Sequence, residues 1–317
     1  ALGLLLMRCR ADHAAGREVS LVWIDRDPET ARFIEFWFAR QQQEHLRLLS
    51  HHLMVEPVSR NQATLNLLKV AVSRLIVTKE PKASLARDTA HSRPHRWITK
   101  NDFDVFGALE DSVRHVLSVL EQTAPIVPAK TYLGDARRLS RIADRSIDSV
   151  VTSPPYLNAI DYMRGHKLSL VWWGHNISQL TRIRLSAIGT EKARETSASQ
   201  GFKRLSKIYG WEDLPAKSQA VLQQYYFDLS AQLIETARVL KPSGKATYVV
   251  GDSNVRGIYV PNHQLLISAA KQAGLRLIAS NEREIPNHKR YLPTPKSNQG
   301  ALGGRMRTEH ILSFAHS

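Results

Sequence analysis

Hydrophobic positions follow two different rhythms along this 317-residue chain. Up to about residue 122 the apolar side chains recur mostly at helical spacing; from Lys130 they gather into short runs, each followed by turn residues or a longer helical stretch. In the first part, SLVWIDRDPE (residues 20–29) predicts a short apolar strand closed by an acidic turn, and residues 31–54 and 61–78 predict helices. KEPKASLARDTAHSRPHRW (79–97) predicts a basic irregular loop. Asn101 or Asp102 is the expected N-cap of a helix ending near Gln122. In the second part, KTYLGD (130–135), SIDSVVTS (146–153), KATYVVGDS (245–253), LRLIAS (275–280) and HILSFAH (310–316) predict strands. Between them lie a long amphipathic helix (218–240) halted by KPSG and a helix (262–274) closed by Gly274 as its C-terminal cap.

Short apolar strands separated by helices predict an α/β fold with a mostly parallel sheet and helices on both faces. The division expected is a mainly helical N-terminal region, 1–100, containing the basic loop, and a core, 101–317, with a basic insertion at 163–215. On such sheets ligands gather at the carboxyl ends of strands. Those ends carry Asp135, Ser153 and Asp252 here.

Charge sharpens the picture. Lys and Arg number 44 against 29 Asp and Glu, a formal charge of +15, which points to a polyanionic partner, nucleic acid first. Cys9 is the single cysteine, excluding an intrachain disulfide and a cysteine-rich zinc site and fitting a reducing, cytoplasmic setting. The histidines lack a metal-ligand spacing with acids or cysteine, so no metal is expected. ALGLLLM at the start is too short to span a bilayer and lacks the features of a signal peptide, so no membrane partner is expected. The chain begins with Ala, which suggests a trimmed chain or a fragment.

The strand ending in VVTSPPYLNAIDY (150–162) raises the main chemical question. Proline cannot extend a central strand, so the strand stops at Ser153. Pro154 and Pro155 hold the backbone rigid, Ser153 offers a short polar side chain and Tyr156 a flat face. That combination suits a planar amine, whose N–H groups are accepted by oxygens while a ring stacks beneath it.

YLGDARRLSRIADRSIDSVVTSPPYLNAIDY (132–162) resembles the catalytic core of S-adenosylmethionine-dependent DNA amino-methyltransferases, and the resemblance extends less specifically through LKPSGKATYVVGDS and EHILSFAH. It covers roughly the last 190 residues. It implies a Rossmann-like methyltransferase sheet, S-adenosyl-L-methionine as cofactor and double-stranded DNA as partner. The Thr-Ser-Pro-Pro-Tyr form is typical of enzymes acting on the N4 amine of cytosine, with adenine N6 the alternative. The target base would be flipped out of the duplex. Ser153 and the Pro154 carbonyl would accept its amine, with Pro155 and Tyr156 completing the box. Gly134 and Asp135 would meet the adenosine end of the cofactor, Asp252 would line the same pocket, and Asp25 or Asp27 would hold its ribose. Asp161 and Tyr162 would help shape the base pocket. The absence of a Pro-Cys motif argues against methylation at cytosine carbon 5.

The Phe-x-Gly-x-Gly-like loop of such enzymes is not found in the sequence, and GALGG (300–304) precedes a strand instead of following one. The loop is expected upstream of residue 1 or from a second polypeptide, residues 1–100 then being the remainder of the cofactor half. Otherwise the chain is a non-catalytic DNA-binding subunit. Phosphate contacts are expected from Arg182, Arg184, Lys203 and Arg204 within the basic stretch 180–210, and from Arg93 and Arg96 in the earlier loop. HKLSLVWWG (166–174) predicts a packing helix.

Overall fold

The computed structural model of the chain describes residues 1–87, 94–123, 127–157, 162–190, 199–285 and 308–317. These fall into two compact units: Ala1–Lys130 with Asp161–Arg184, and Thr131–Ile160 with Leu185–Ser317. The boundary expected near residue 100 therefore lies inside the first unit, and the stretch 163–215 is shared between the two. Packing explains the shift. Val105, Phe106, Leu109 and Val113, beyond the expected boundary, are buried in the same apolar cluster as Leu68, Val72 and Trp172. Each such burial is worth roughly 1.5–3 kcal/mol.

The first unit is helical. It contains α1 (Leu2–Ala14), α2 (Val22–Asp25), α3 (Pro28–Trp37), α4 (Arg40–Ser50), α5 (Gln62–Ile76), α6 (Val105–Gln122), α7 (Tyr162–Leu170) and α8 (Ile177–Ser186), with a two-residue pairing of β1 (Ala86–Arg87) and β2 (His95–Arg96). The strand expected at 20–29 is a helical turn instead. Asp25 reaches back to accept the Leu21 N–H at 2.8 Å and the Ser20 hydroxyl at 2.9 Å. Asp27 caps α3 by accepting the Thr30 N–H, with Pro28 in the first turn. An apolar run of only a few residues carries too little periodicity to separate strand from helix, and these caps decide it. The helix expected over 31–54 breaks at Phe38, whose backbone is extended. Asp104, not Asn101 or Asp102, caps α6. Trp172 is buried edge-on against Phe38, and the Trp173 indole donates to Ser73, so this stretch packs as expected. Burial, then the Asp12 charge, push the Cys9 thiol up to about 12 and keep it protonated.

The second unit holds a four-stranded sheet in the order β3 (Ile147–Thr152), β4 (Leu240–Gly251), β8 (Thr308–His316), β7 (Leu275–Glu284). β3 and β4 are parallel, whereas β8 runs antiparallel to both β4 and β7. Three strands thus share one direction, but two of the three pairings are antiparallel, so the expectation of a mostly parallel sheet is corrected. Antiparallel neighbours need no helical crossover, which lets β8 slot between β4 and β7.

Alternate residues of β4 and β8, among them Ala246, Tyr248, Val250, Leu312 and Phe314, are buried with Leu229 and Leu233 of α10 (Ala216–Val239) and Leu265 and Leu266 of α11 (Asn262–Gln272). The opposite face is more open, with Val151 76% exposed. Helices on both faces are therefore not found among the described residues. The strand expected at 130–135 forms no ladder; only an isolated Asp135–Arg138 bridge is present, and Tyr132 and Leu133 are exposed. The helix α9 (Gln200–Tyr209) and a small hairpin of β5 (Ser253–Val255) and β6 (Ile258–Val260) complete the unit. Gly274 closes α11 at φ 79°, as its sequence position predicts.

Candidate active site at the ends of the central strands

β3 delivers the Ser-Pro-Pro-Tyr corner beside the carboxyl end of β4, because Thr152 pairs in parallel with Tyr248. The Ser153 hydroxyl donates to the Val249 carbonyl at 3.1 Å and lies 3.2 Å from the Tyr156 hydroxyl. Tyr156 in turn donates to Glu309 at 3.1 Å. With its one proton on Val249, Ser153 keeps acceptor capacity at its oxygen. Ser153 and Pro155 are exposed, Pro154 is buried and Tyr156 is half-buried.

Residues distant in sequence fix this corner. The fully buried Tyr225 of α10 donates to the Pro155 carbonyl at 2.9 Å. Burial, with the nearby Tyr156 and Asp252, raises the Tyr225 hydroxyl above its ordinary range, so it stays a donor. The Ser253 hydroxyl holds the Leu157 carbonyl at 2.7 Å, and Asn262 binds both Ser253 and the Gly251 carbonyl. Glu309 sits opposite Gly251 in the β4–β8 register and is held by Arg283. Ser253 and Glu309 lie at the ends of stretches that carry the resemblance, yet neither they nor Tyr225 and Asn262 are singled out as site residues by the sequence.

Gly189 also touches the corner. Its φ is 77°, and a Cβ there would lie 3.3 Å from the Tyr156 carbonyl oxygen and 3.6 Å from Pro155 Cβ. Gly189→Ala should destabilise the second unit by about 1–2 kcal/mol, the cost of a left-handed alanine. Urea unfolding followed by circular dichroism measures it, and an unchanged midpoint would mean that the loop simply moves away.

Asp252 follows β4. Its carboxylate meets His263 Nδ1 at 2.8 Å, His310 Nε2 at 3.2 Å and the Tyr259 hydroxyl. Burial opposes its charge, but the hydrogen bonds from His263 and Tyr259 outweigh that and hold its pKa below the ordinary value. Asp252 thereby ties β4 to α11 and β8. Asp135 is half-exposed and bridged by Arg137, which also reaches the buried Asp228 at 2.7 Å and the Ser186 carbonyl at 2.7 Å. Space beside Gly134 is open, and the Asp135 carboxylate is half-exposed. Both Asp135 oxygens accept from the Arg137 guanidinium, at 3.0 and 2.7 Å. Asp25 belongs to the first unit, where it lines a cleft of about 760 Å³ with its carboxylate engaged by Arg47 at 2.8 Å. Burial opposes the Asp25 charge too, yet the bonds from Arg47, Ser20 and the Leu21 N–H lower its pKa.

The cationic candidates divide between the units. Lys203 and Arg204 are exposed on α9, opposite the buried Phe202 and Leu205. Arg182 and Arg184 lie on α8 of the first unit, which also holds Arg96, whose guanidinium stacks 4.9 Å from the Phe36 ring centre. Arg93, Asp161, residues 191–198 and the GALGG stretch lie outside the described residues. Among the described residues, histidines without a sequence spacing for metal nonetheless cluster with acids in His51–His52–Glu56 and Asp252–His263–His310. Among the described residues no helix is long and apolar enough to cross a membrane.

No family model matches the chain. It is 27% identical over 186 residues to the Type II methyltransferase M.MvaI of Kocuria varians, an alignment covering 53% of this chain and 40% of that protein. It is 24% identical over 170 residues to the Type II methyltransferase M.BsoBI of Geobacillus stearothermophilus, covering 44% and 33%. The Type II methyltransferase M.AvaI of Nostoc sp. aligns over 178 residues at 25% identity, 50% of this chain and 35% of that one. These alignments span well under half the length of each curated relative. A DNA modification methylase of Thermus thermophilus, solved in complex with S-adenosyl-L-methionine, matches 58% of this chain and 51% of its own at 17% identity, with a TM-score of 0.31.

Proposed function

We propose that the chain carries the target-base site of an S-adenosyl-L-methionine-dependent DNA methyltransferase acting on the N4 amine of cytosine. One observation carries the reading: a rigid Ser-Pro-Pro-Tyr corner at the carboxyl end of β3, with its serine proton already spent on β4. The three Type II methyltransferases support the same class of reaction.

In this reading double-stranded DNA is the substrate and the cytosine is extruded from the stack. Its amine is accepted by Ser153 Oγ and the Pro154 carbonyl. Two fixed acceptors draw the nitrogen toward tetrahedral geometry and free its lone pair, and most of the rate comes from such positioning. Tyr156 stacks on the base, while Tyr225 and Glu309 keep the corner from yielding when the base arrives. Gly134 and Asp135 are the residues of the described chain that would hold the cofactor, which when bound supplies the methyl group. Asp252 serves as a positioning residue, since its oxygens already hold three side chains.

Mass spectrometry of digested DNA from cells expressing the complete reading frame tests the reaction, and calorimetry with S-adenosyl-L-methionine tests the cofactor. N4-methylcytosine is expected. N6-methyladenine alone would move the assignment to adenine, and neither mark with DNA binding intact would favour a non-catalytic DNA-binding subunit.

DNA contact has its own signature. Lys203 and Arg204 project from one exposed face of α9. Replacing both by alanine should lower the slope of log affinity against log salt by about 1.8, at roughly 0.9 per duplex phosphate contact. An unchanged slope would assign α9 to plain solvation.

A further inference from the structure

We propose that His51, His52 and Glu56 form a binding site for a divalent transition-metal ion of the zinc class, in the helical unit and independent of the methylation reading. The sequence HHLMVE follows α4 directly, and there the helix widens into a π-turn over His51–Val55. The wider turn closes with the Glu56 N–H donating to the His51 carbonyl at 2.9 Å. It brings Glu56 back to His51, with Oε2 3.3 Å from Nε2. One ligand atom from each of the three residues lies within 4.8 Å of the other two. Such turns concentrate at functional sites, because they re-aim side chains that a regular helix would splay apart.

A second observation is independent of this clustering. His52 Nε2 is bound to Asp12 at 2.7 Å, and Asp12 is itself held by Arg17 at 3.1 Å. A carboxylate behind an imidazole is the usual outer support of a metal-bound histidine, fixing its tautomer and orientation. With Nε2 engaged, the nitrogen left for an ion is Nδ1. That atom is buried without a hydrogen-bond partner, and neither ring nitrogen of His51 makes an aligned hydrogen bond. Buried polar atoms are seldom left in this state. A cation drawing on their lone pairs resolves it.

The donor set selects the ion. Two imidazole nitrogens and one carboxylate oxygen suit Zn²⁺ and its neighbours, with a fourth position left for water, whereas Mg²⁺ and Ca²⁺ favour oxygen ligands. The cluster of Asp252, His263 and His310 offers the same residue types, but there Asp252 already engages both rings and the Tyr259 hydroxyl. None of its side-chain nitrogen or oxygen atoms is buried without a hydrogen-bond partner.

The test loads the full chain with Zn²⁺ alone, dialyses it, and measures metal content by mass spectrometry and affinity by calorimetry. One ion per chain is expected. Glu56 is 52% exposed at its side chain, so Glu56→Gln removes a charged ligand and is expected to leave the fold intact, which circular dichroism checks. Asp12→Asn should weaken binding by about 10- to 100-fold, the usual effect of losing an outer carboxylate, and Glu56→Gln should weaken it at least as much. His263→Gln should leave it unchanged. The proposal fails if no Zn²⁺ is retained, if binding survives Glu56→Gln at full strength, or if His263→Gln is the variant that abolishes it. Metal content is read without reference to methylation, so either reading can fall alone.

Discussion

Tyr156→Ala should lower the methylation rate by about fivefold to 150-fold, while Tyr156→Phe should lower it far less. The first figure follows from base–aromatic stacking, about 1–3 kcal/mol per base, at tenfold per 1.36 kcal/mol. The second follows from the geometry. The Tyr156 hydroxyl binds Glu309 at 3.1 Å and lies 3.2 Å from Ser153, so phenylalanine keeps the flat face and gives up only a partly exposed hydrogen bond. Such a bond is worth about 1 kcal/mol net. Single-turnover methyl transfer to duplex DNA by the complete gene product separates the two variants. Equal losses in both would show that the hydroxyl, not the ring, matters, and would remove Tyr156 as a stacking platform.

Asp228→Ala should destabilise the second unit by about 3–5 kcal/mol, the loss expected when one partner of a buried ion pair is removed. Asp228 is 3% and Arg137 15% exposed, and they meet at 2.7 Å. Gln224 also donates to Asp228 at 3.0 Å, so truncation removes the acceptor of both Arg137 Nη1 and the Gln224 amide. Asp135 binds the same guanidinium but is 51% exposed. Its replacement by alanine should cost no more than about 1 kcal/mol, as for surface pairs generally. Urea titration of both variants tests the asymmetry. Comparable losses would mean that the arginine leans on its exposed partner and that burial of Asp228 contributes little.

Much of the second unit was legible because its signals are local. Apolar runs located the strands at 147–152, 245–251, 275–280 and 310–316, and Gly274 marked the end of α11 where the backbone does turn left-handed. The proline pair fixed the end of β3. What stayed hidden was long-range. Tyr225 reaches Pro155 across 70 residues and Glu309 reaches Tyr156 across 153, with no spacing rule to announce either. β8 inserts antiparallel between β4 and β7 because of its pairing partners, which its own residues do not reveal. The strand expected at 20–29 is helical instead because Asp25 and Asp27 accept backbone N–H groups at helix starts. The histidine clusters escaped for a related reason. His51 and Glu56 are neighbours through a widened helical turn, and His263 and His310 meet only after folding.

The position of β3 bears on how the chain behaves in the test tube. It lies at one end of the strand order and presents Val151 to solvent. Among the described residues its outer edge has no strand partner, and an apolar strand edge in that state is a template for any other extended segment that drifts past. The charged element within it is Asp148, exposed and bridged to Lys241 at 2.7 Å. A charge in such a position acts as a gatekeeper against stacking of like strands. Salt screens that exposed charge, so high ionic strength, a common remedy for a basic protein that clings to nucleic acid, weakens the protection of this edge. Concentrated stocks are better kept at moderate salt, with the polyanion removed by other means.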